Sequence, residues 1–130
     1  MLMRLKAGLS EVIACSRTNK EMLEHAADCI RRTCGSRWTG LYRIDHSRSL
    51  VENVVFTGGP APAHTTFALD RGLTGLSVAQ RQTVVVQDVR NNPHYLPMLP
   101  DTRTEAIIPV IGGDGAVIGK SISKVRCRIP

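Results

Sequence analysis

Residues 67 to 109 have the sequence FALDRGLTGLSVAQRQTVVVQDVRNNPHYLPMLPDTRTEAIIP, and this stretch decides the fold. It predicts a strand end, a glycine-braced turn, a short helix, an apolar strand, a proline-rich polar loop and another strand. The segment TVVVQDV is typical of a buried strand because it is rich in β-branched residues. Pro93, Pro97 and Pro100 stiffen the loop that follows. The order of these pieces predicts the wall of a small cavity rather than plain core.

The flanking sequence predicts two N-terminal helices. Apolar residues at helical spacing indicate a first helix over residues 2–15. A second helix follows, with Thr18 or Asn19 as its cap and Gly35 as a left-handed terminator. The N-terminus does not have the pattern of a signal peptide, because Lys6 and other polar residues interrupt its apolar core.

Two hairpins complete an α+β pattern. RWTGLYRID pairs with LVENVVFTG, and EAIIPVI pairs with AVIGKSIS across a GGDG turn. The element order is therefore helix, helix, three strands, short helix and three strands. This order predicts a central antiparallel sheet of about six strands, with the N-terminal helices on one face and the short helix plus loops over the other. One domain over residues 1–130 is expected, with helices at 1–34, sheet and pocket loops at 35–125, and a tail at 126–130.

Composition narrows the classes of partner. The chain carries a formal charge of +6, but its arginines are scattered and no basic run is flanked by stacking aromatics. We therefore expect no direct nucleic-acid binding. The longest apolar stretches fall short of the ~20 residues that a membrane span needs, so no membrane contact is expected. Four cysteines without CxxC spacing favour a soluble cytoplasmic protein. No metal is predicted, because the spacing of His25, Cys29 and Cys34 is not typical of a metal-binding motif.

Five short motifs occur in a characteristic order. They are Trp38-Thr39-Gly40-Leu41-Tyr42, Gly72-Leu73-Thr74-Gly75, Val86-Gln87-Asp88-Val89, Asn92-Pro93-His94-Tyr95, and Glu105-Ala106-Ile107-Ile108-Pro109 with Ile118-Gly119. In this order the chain resembles a GAF domain, a small-molecule sensor fold with a PAS-like sheet, over nearly its whole length. The resemblance implies a homodimer that acts on an output domain such as a histidine kinase or transcription activator. It leaves open whether the chain is a stand-alone protein or a fragment of a longer regulator.

One branch of that family, the free methionine-(R)-sulfoxide reductases, shares the W-x-G-x-Y opener. The resemblance implies catalytic and resolving cysteines within a G-V-C-G pattern and six residues before an S-E-I pattern. This chain has Thr74 and Met98 at those positions, and neither side chain can form a thiolate or a disulfide. No nucleophile with a base and an orienting group appears elsewhere, so we expect no catalytic residues and no enzyme.

The predicted ligand-binding residues are Trp38, Tyr42, Phe67, Leu73, Thr74, Asp88, His94, Tyr95 and Glu105. Several have structural alternatives. Trp38 and Tyr42 lie on one face of a strand and could be core residues. Thr74 could be a helix cap. His94 and Tyr95 could lie in a solvated loop. Glu105 could form an exposed charge pair with Arg103, whereas an inward Glu105 would suit a ligand amine. Asp88 could also accept backbone N–H groups of its loop.

The sequence thus predicts a regulatory sensor domain. It would bind a small molecule between the sheet and the loops and signal through helix and dimer rearrangement. The ligand and any cofactor are not identified by the sequence. The alternatives are a dimerisation module with a filled cavity and, third, a sulfoxide-reductase-like enzyme.

Overall fold

In the computed structural model of the protein, the described residues are 3, 4, 7, 8 and 18–125, with the backbone alone described from residue 120 onward. The helix predicted over residues 2–15 falls mainly outside this part, although residues 3, 4, 7 and 8 are helical. The predicted tail at 126–130 also lies outside it.

Residues 18–125 form two helices, six strands and one 3-10 turn in the order that the sequence predicts. These are α1 (Asn19–Cys34), β1 (Trp38–Asp45), β2 (Leu50–Thr57), β3 (Thr66–Ala68), α2 (Thr74–Gln80), β4 (Val84–Val86), the 3-10 turn (Val89–Asn91), β5 (Thr104–Ile111) and β6 (Val117–Val125).

The six strands form one sheet in the order β3-β2-β1-β6-β5-β4. Every neighbouring pair is antiparallel, which confirms the predicted architecture. The edge strands β3 and β4 have only three residues each, fewer than their sequence patterns suggested. Short edges leave few unpaired backbone groups for another chain to bind. Strand β1, which contains the Trp38–Tyr42 motif, lies in the middle of the sheet and pairs with the long strand β6.

Helix α1 covers one face of the sheet. Its N-cap is Thr18, whose side-chain oxygen accepts a hydrogen bond from the Glu21 amide at 3.1 Å. It ends at Gly35 in the left-handed region, with φ of 67°. The Thr57 hydroxyl donates to Asp28 Oδ1 at 3.1 Å and joins the helix to β2. Because alternate residues of a strand point to opposite faces, this contact assigns Thr57 to the α1 face and Phe56 to the other.

The main apolar core lies on the face away from α1, beneath α2 and the long loop between β4 and β5. Trp38 and Tyr42 are buried there, together with Phe67, Leu73 and Met98. Trp38 stacks on Phe56, with ring centroids 6.2 Å apart and an interplanar angle of 13°. The core therefore lies between the sheet and its cover of α2 and the long loop, and residues 67–109, which the sequence identified as a cavity wall, contribute to both sides.

Candidate functional site

A small cavity lies between the sheet and its cover of α2 and the long loop. We call it the sheet–loop cavity. Its lining residues are Phe67, Gly72, Leu73, Thr74, Leu96, Met98, Glu105 and Ile107. Its volume is about 10 Å³, which is close to the ~10–15 Å³ needed for a single water molecule. The side chains therefore nearly fill the space in this conformation.

Thr74 reaches the cavity because of the turn that precedes α2. Gly72 has φ of 69°, and a Cβ atom at this position would lie 3.1 Å from the Leu96 Cβ. A glycine is thus suited to both the backbone conformation and the close approach of the loop. Leu73 holds the N-cap position without a side-chain hydrogen bond. The alternative that Thr74 caps the helix is therefore wrong, since Thr74 is the first helical residue and is 2% exposed.

Glu105 places a carboxyl group in the wall of the cavity. It lies in β5 opposite Val86 of β4 and is only 3% exposed. Arg103 is exposed, so the alternative of an exposed Glu105–Arg103 charge pair is wrong. Burial of a carboxylate is costly unless other groups compensate it.

Tyr42 and Trp38 belong to the same apolar cluster but lie beside the cavity rather than in its lining. Tyr42 meets Phe67 edge to face, with ring centroids 5.9 Å apart. Burial, and then the negative charge of Glu105, raise the pKa of Tyr42 above its usual value. Trp38 is fully buried, and its indole Nε1 donates to the Pro60 carbonyl at 3.0 Å. The alternative that Trp38 and Tyr42 are core residues therefore fits the structure well.

Known structures that are similar to this chain include a sulfoxide reductase and a GAF domain. No protein-family model matches the chain. A free methionine-R-sulfoxide reductase of Saccharomyces cerevisiae is 26% identical over 84 residues, which cover 63% of this chain and only 45% of the yeast protein. The X-ray structure of the Neisseria meningitidis free methionine-R-sulfoxide reductase in complex with its substrate has a TM-score of 0.81 and 26% identity, covering 96% of this chain and 72% of that one. The GAF domain of an Acinetobacter phosphoenolpyruvate-protein phosphotransferase has a TM-score of 0.82 and 15% identity, covering 98% and 78%.

This chain has the GAF-domain fold. The two positions at which the resemblance implies cysteines, Thr74 and Met98, line the same cavity. Thr74 comes from α2 and Met98 from the long loop. Of the nine predicted site residues, four line the cavity: Phe67, Leu73, Thr74 and Glu105.

Thiols in the described part of the chain lie away from the cavity. Cys29 and Cys34 belong to α1, on the other face of the sheet, and both are free. Burial, and then the neighbouring Cys29, raise the pKa of the Cys34 thiol, which disfavours a reactive thiolate. Cys15 and Cys127 lie outside the described residues. Within the described residues no group of three or more potential metal ligands occurs, and no helix has the length and apolar character to cross a membrane.

Besides Trp38 and Tyr42, three more predicted residues lie outside the lining of the cavity. Asp88 is exposed and caps the 3-10 turn by accepting from the Arg90 amide at 3.1 Å. Hydrogen bonds from the Arg90 side chain, and then from its backbone, lower the pKa of Asp88 below its usual range. His94 is exposed and borders an outer groove of about 790 Å³ beside α2. Tyr95 is half-buried and packs against the core.

Sequence reasoning did not assign four lining residues to the site. These are Gly72, Leu96, Met98 and Ile107. Met98 had a usable signal, because it occupies one of the two implied cysteine positions. Ile107 also had one, because in strand β5 it shares the face of Glu105 two residues earlier. Leu96 had none beyond its apolar character, since the face of a loop residue is not fixed by any period in the sequence.

Proposed function

We propose that this GAF domain is a regulatory sensor that binds a small molecule carrying an amine or another cationic group in the sheet–loop cavity. The observation that carries the proposal is Glu105, a carboxyl group that is 3% exposed in the wall of an otherwise mostly apolar cavity. A buried ion adds little to stability compared with an apolar residue of similar size. Its value lies in recognition, because a ligand cation gains a charge-assisted hydrogen bond there.

Binding requires the cover of the cavity to move. A volume of about 10 Å³ admits no organic ligand. Leu96 and Met98 are the lining residues contributed by the long loop, so displacement of this loop is the simplest way to open the space. A ligand that binds only the open conformation shifts the population towards it. Ligand occupancy is thereby coupled to the position of the loop.

The signal would leave the domain through its helices and a homodimer interface. Apolar side chains on the sheet face opposite the cavity support this step: Val85, Ile108 and Val110 are 53%, 39% and 45% exposed. An exposed apolar patch of this kind is typical of protein–protein contact sites. The similar Acinetobacter structure is a GAF domain of a larger phosphotransferase, which supports an output domain as a further partner.

The comparisons suggest where the ligand search should begin. The relatives from yeast and Neisseria are named for free methionine-R-sulfoxide, an amino acid whose ammonium group has the charge that Glu105 would attract. Free amino acids, including both sulfoxides of methionine, therefore form the first panel. Neutral and anionic metabolites of similar size form the comparison panel.

Thermal shift and calorimetric titration test the sensor proposal. We expect an amine-bearing compound to raise the melting temperature, and Glu105→Gln to weaken its binding at least tenfold. The matched control is Glu24→Gln, which removes the same charge from the exposed surface of α1, where Glu24 lies 3.9 Å from Lys20. Equal ligand affinity in both variants, or no stabilising compound in the amine panel, would contradict the proposal.

A dimerisation module with a filled cavity is the second candidate, and the small volume of the sheet–loop cavity favours it. Sedimentation velocity together with the ligand panel separates the two functions. A stable dimer whose melting temperature responds to no compound supports the module. A ligand-dependent change in dimer affinity supports the sensor.

The enzyme is the third candidate, and the similarity to sulfoxide reductases at 26% identity is what favours it. Reduction of a sulfoxide by this route needs a thiol at the site, and Thr74 and Met98 stand at the implied positions. We expect no loss of free methionine-R-sulfoxide when the protein is incubated with it and excess dithiothreitol. Turnover that exceeds the protein concentration would overturn this expectation.

A further inference from the structure

The outer groove lies between α2 and two short segments, residues 48–50 and residues 68–70. Its volume of about 790 Å³ falls within the range of ~300–1,000 Å³ that is usual for small-molecule sites. Arg48 and Asp70 bring opposite charges to it, so the groove does not select a strongly charged group. Its apolar lining residues come from both walls and are Leu50, Ala68, Leu69, Leu76, Val78 and Ala79. The groove therefore suits an apolar group of a ligand.

Gly72 lines both the outer groove and the sheet–loop cavity. It has no side chain, and a Cβ atom at this position would lie 3.1 Å from the Leu96 Cβ and 3.8 Å from the His94 carbonyl oxygen. Leu96 lines the inner cavity, whereas His94 lines the outer groove. Gly72 and residues 94–96 thus form a thin partition between the two spaces.

The loop side of this partition is hydrogen-bonded to its own neighbours. The amides of His94 and Tyr95 donate to Asn92, at 2.9 Å to its side-chain oxygen and at 3.2 Å to its carbonyl. The next part of the loop is held from outside, because the Met98 carbonyl accepts from the Ala63 amide at 2.8 Å. The segment before Met98 can therefore move away from α2 as a unit, with these bonds intact.

We propose that the outer groove holds the apolar tail of the ligand whose cationic group is bound by Glu105. Displacement of Leu96 from Gly72 joins the groove to the sheet–loop cavity, so that one ligand spans both spaces. The head group then lies beside the buried carboxyl group, and the tail lies along α2. The ligand class is a primary amine that carries an apolar chain. This inference rests on the proposed function, because it requires Glu105 to be the site of the amine.

The length of the tail gives the proposal a measurable signature. Each methylene group that leaves water for an apolar surface strengthens binding by up to about fourfold. A partly open groove buries less of each group, so we expect about twofold to fourfold for every methylene that reaches it. A ligand confined to the sheet–loop cavity would show no such series, since that cavity has a volume of only about 10 Å³.

Calorimetric titration with n-butylamine, n-hexylamine and n-octylamine at pH 7 tests this signature. We expect the affinity to rise with every added methylene group along the series. The alcohols of the same chain lengths should bind at least tenfold more weakly, because they lack the charge that Glu105 recognises. Glu105→Gln should weaken all three amines by a similar factor and preserve the gain per methylene.

Leu76→Ala removes an apolar side chain from the groove, where Leu76 is 39% exposed. It should weaken octylamine binding at least fourfold and leave butylamine within twofold. Alanine is a strong helix former, so α2 should stay intact. Val54→Ala is the matched control, because Val54 is 44% exposed in β2 and lies outside the groove lining. It should leave the affinity for both amines within twofold of the wild type.

The outcomes separate this inference from the sensor proposal. Butylamine binding that depends on Glu105, with no further gain for octylamine, would overturn the groove inference and leave the sensor proposal in place. The same conclusion follows if Leu76→Ala binds octylamine as tightly as the wild type does. Equal affinities for octylamine and 1-octanol would also overturn the inference, because the head group would then not lie at Glu105. Absence of binding by every amine would overturn both proposals.

Discussion

At the scale of single residues, side-chain packing explains why a glycine lies between the two aromatic residues of the Trp38-Thr39-Gly40-Leu41-Tyr42 motif. Trp38, Gly40 and Tyr42 share the core face of β1, and the two rings meet above the glycine. A Cβ atom at position 40 would lie 2.4 Å from Trp38 Cη2 and 3.0 Å from Tyr42 Cε1. The glycine is therefore what allows two large aromatic residues to lie four positions apart on one strand.

Gly40→Ala tests this explanation. The new methyl group must displace packed rings, so we expect the free energy of unfolding to fall by about 1–3 kcal/mol, measured by urea denaturation. Gly113→Ala is the control, since a Cβ atom there meets nothing within 4 Å. It should change stability by less than about 0.5 kcal/mol. Equal losses in the two variants would show that ring packing over Gly40 is not the reason.

Tyr42 should also make stability depend on pH in the alkaline range. Burial, and then Glu105, raise its pKa, so the folded state keeps the phenolic proton after the unfolded chain begins to lose it near pH ~10. The stability from this group is complete below that pH and declines above it, by up to about 1.4 kcal/mol per pH unit.

Tyr42→Phe should remove that decline. We expect the wild type to lose stability more steeply than the variant from pH ~10 to 11.5, as measured by urea unfolding at each pH. Tyr95→Phe, which retains Tyr42, should keep the wild-type slope. Parallel curves for wild type and Tyr42→Phe would contradict the assignment.

At the scale of elements, each helix is defined by its ends. Helix α1 has a side-chain cap at Thr18 and a left-handed terminator at Gly35, both of which the sequence indicated. Helix α2 has no side-chain cap at its start. Its final turn is instead stabilised by the buried Ser77, whose hydroxyl donates to the Gln82 carbonyl at 2.8 Å. The helix that carries Thr74 into the cavity is thus held by its packing and its C-terminal end.

Thr18→Ala should destabilise α1 at its start. The Glu21 amide loses its acceptor, so we expect the free energy of unfolding to fall by about 1 kcal/mol. Thr18→Ser preserves the hydroxyl and should remain within about 0.5 kcal/mol of the wild type. Thermal unfolding followed by circular dichroism measures both. A serine variant as unstable as the alanine variant would point to the threonine methyl group instead.

At the scale of the whole molecule, the antiparallel sheet separates two regions with different roles. α1 and an exposed apolar patch lie on one face, and the covered cavity lies on the other. The long loop contacts two cavities, since Met98 lines the sheet–loop cavity and Leu99 lines a second cavity of about 80 Å³ beside Trp38. A ligand in either space would therefore act on the same segment of chain.

Met98→Ala tests whether the filled state of the sheet–loop cavity limits binding. Removing this buried side chain should lower the free energy of unfolding by about 2–5 kcal/mol. It should also tighten the binding of any cavity ligand, because the open state no longer has to be reached by displacing the side chain. Calorimetric titration measures the affinity. Met22→Ala on α1 should leave it unchanged, and weaker binding in Met98→Ala would make Met98 a ligand contact instead.

The sequence by itself determined the element order, the antiparallel sheet and the GAF-like wall at residues 67–109, because apolar periodicity and glycine positions act locally. It also located Thr74 and Met98 as positions without a thiol. Only the tertiary structure decided that Glu105 is buried while Asp88 and His94 are exposed. It alone decided that the cavity is nearly full and that Arg37 borders a second one. Burial and free volume depend on side chains that meet from distant parts of the chain, and no local pattern records where their surfaces coincide.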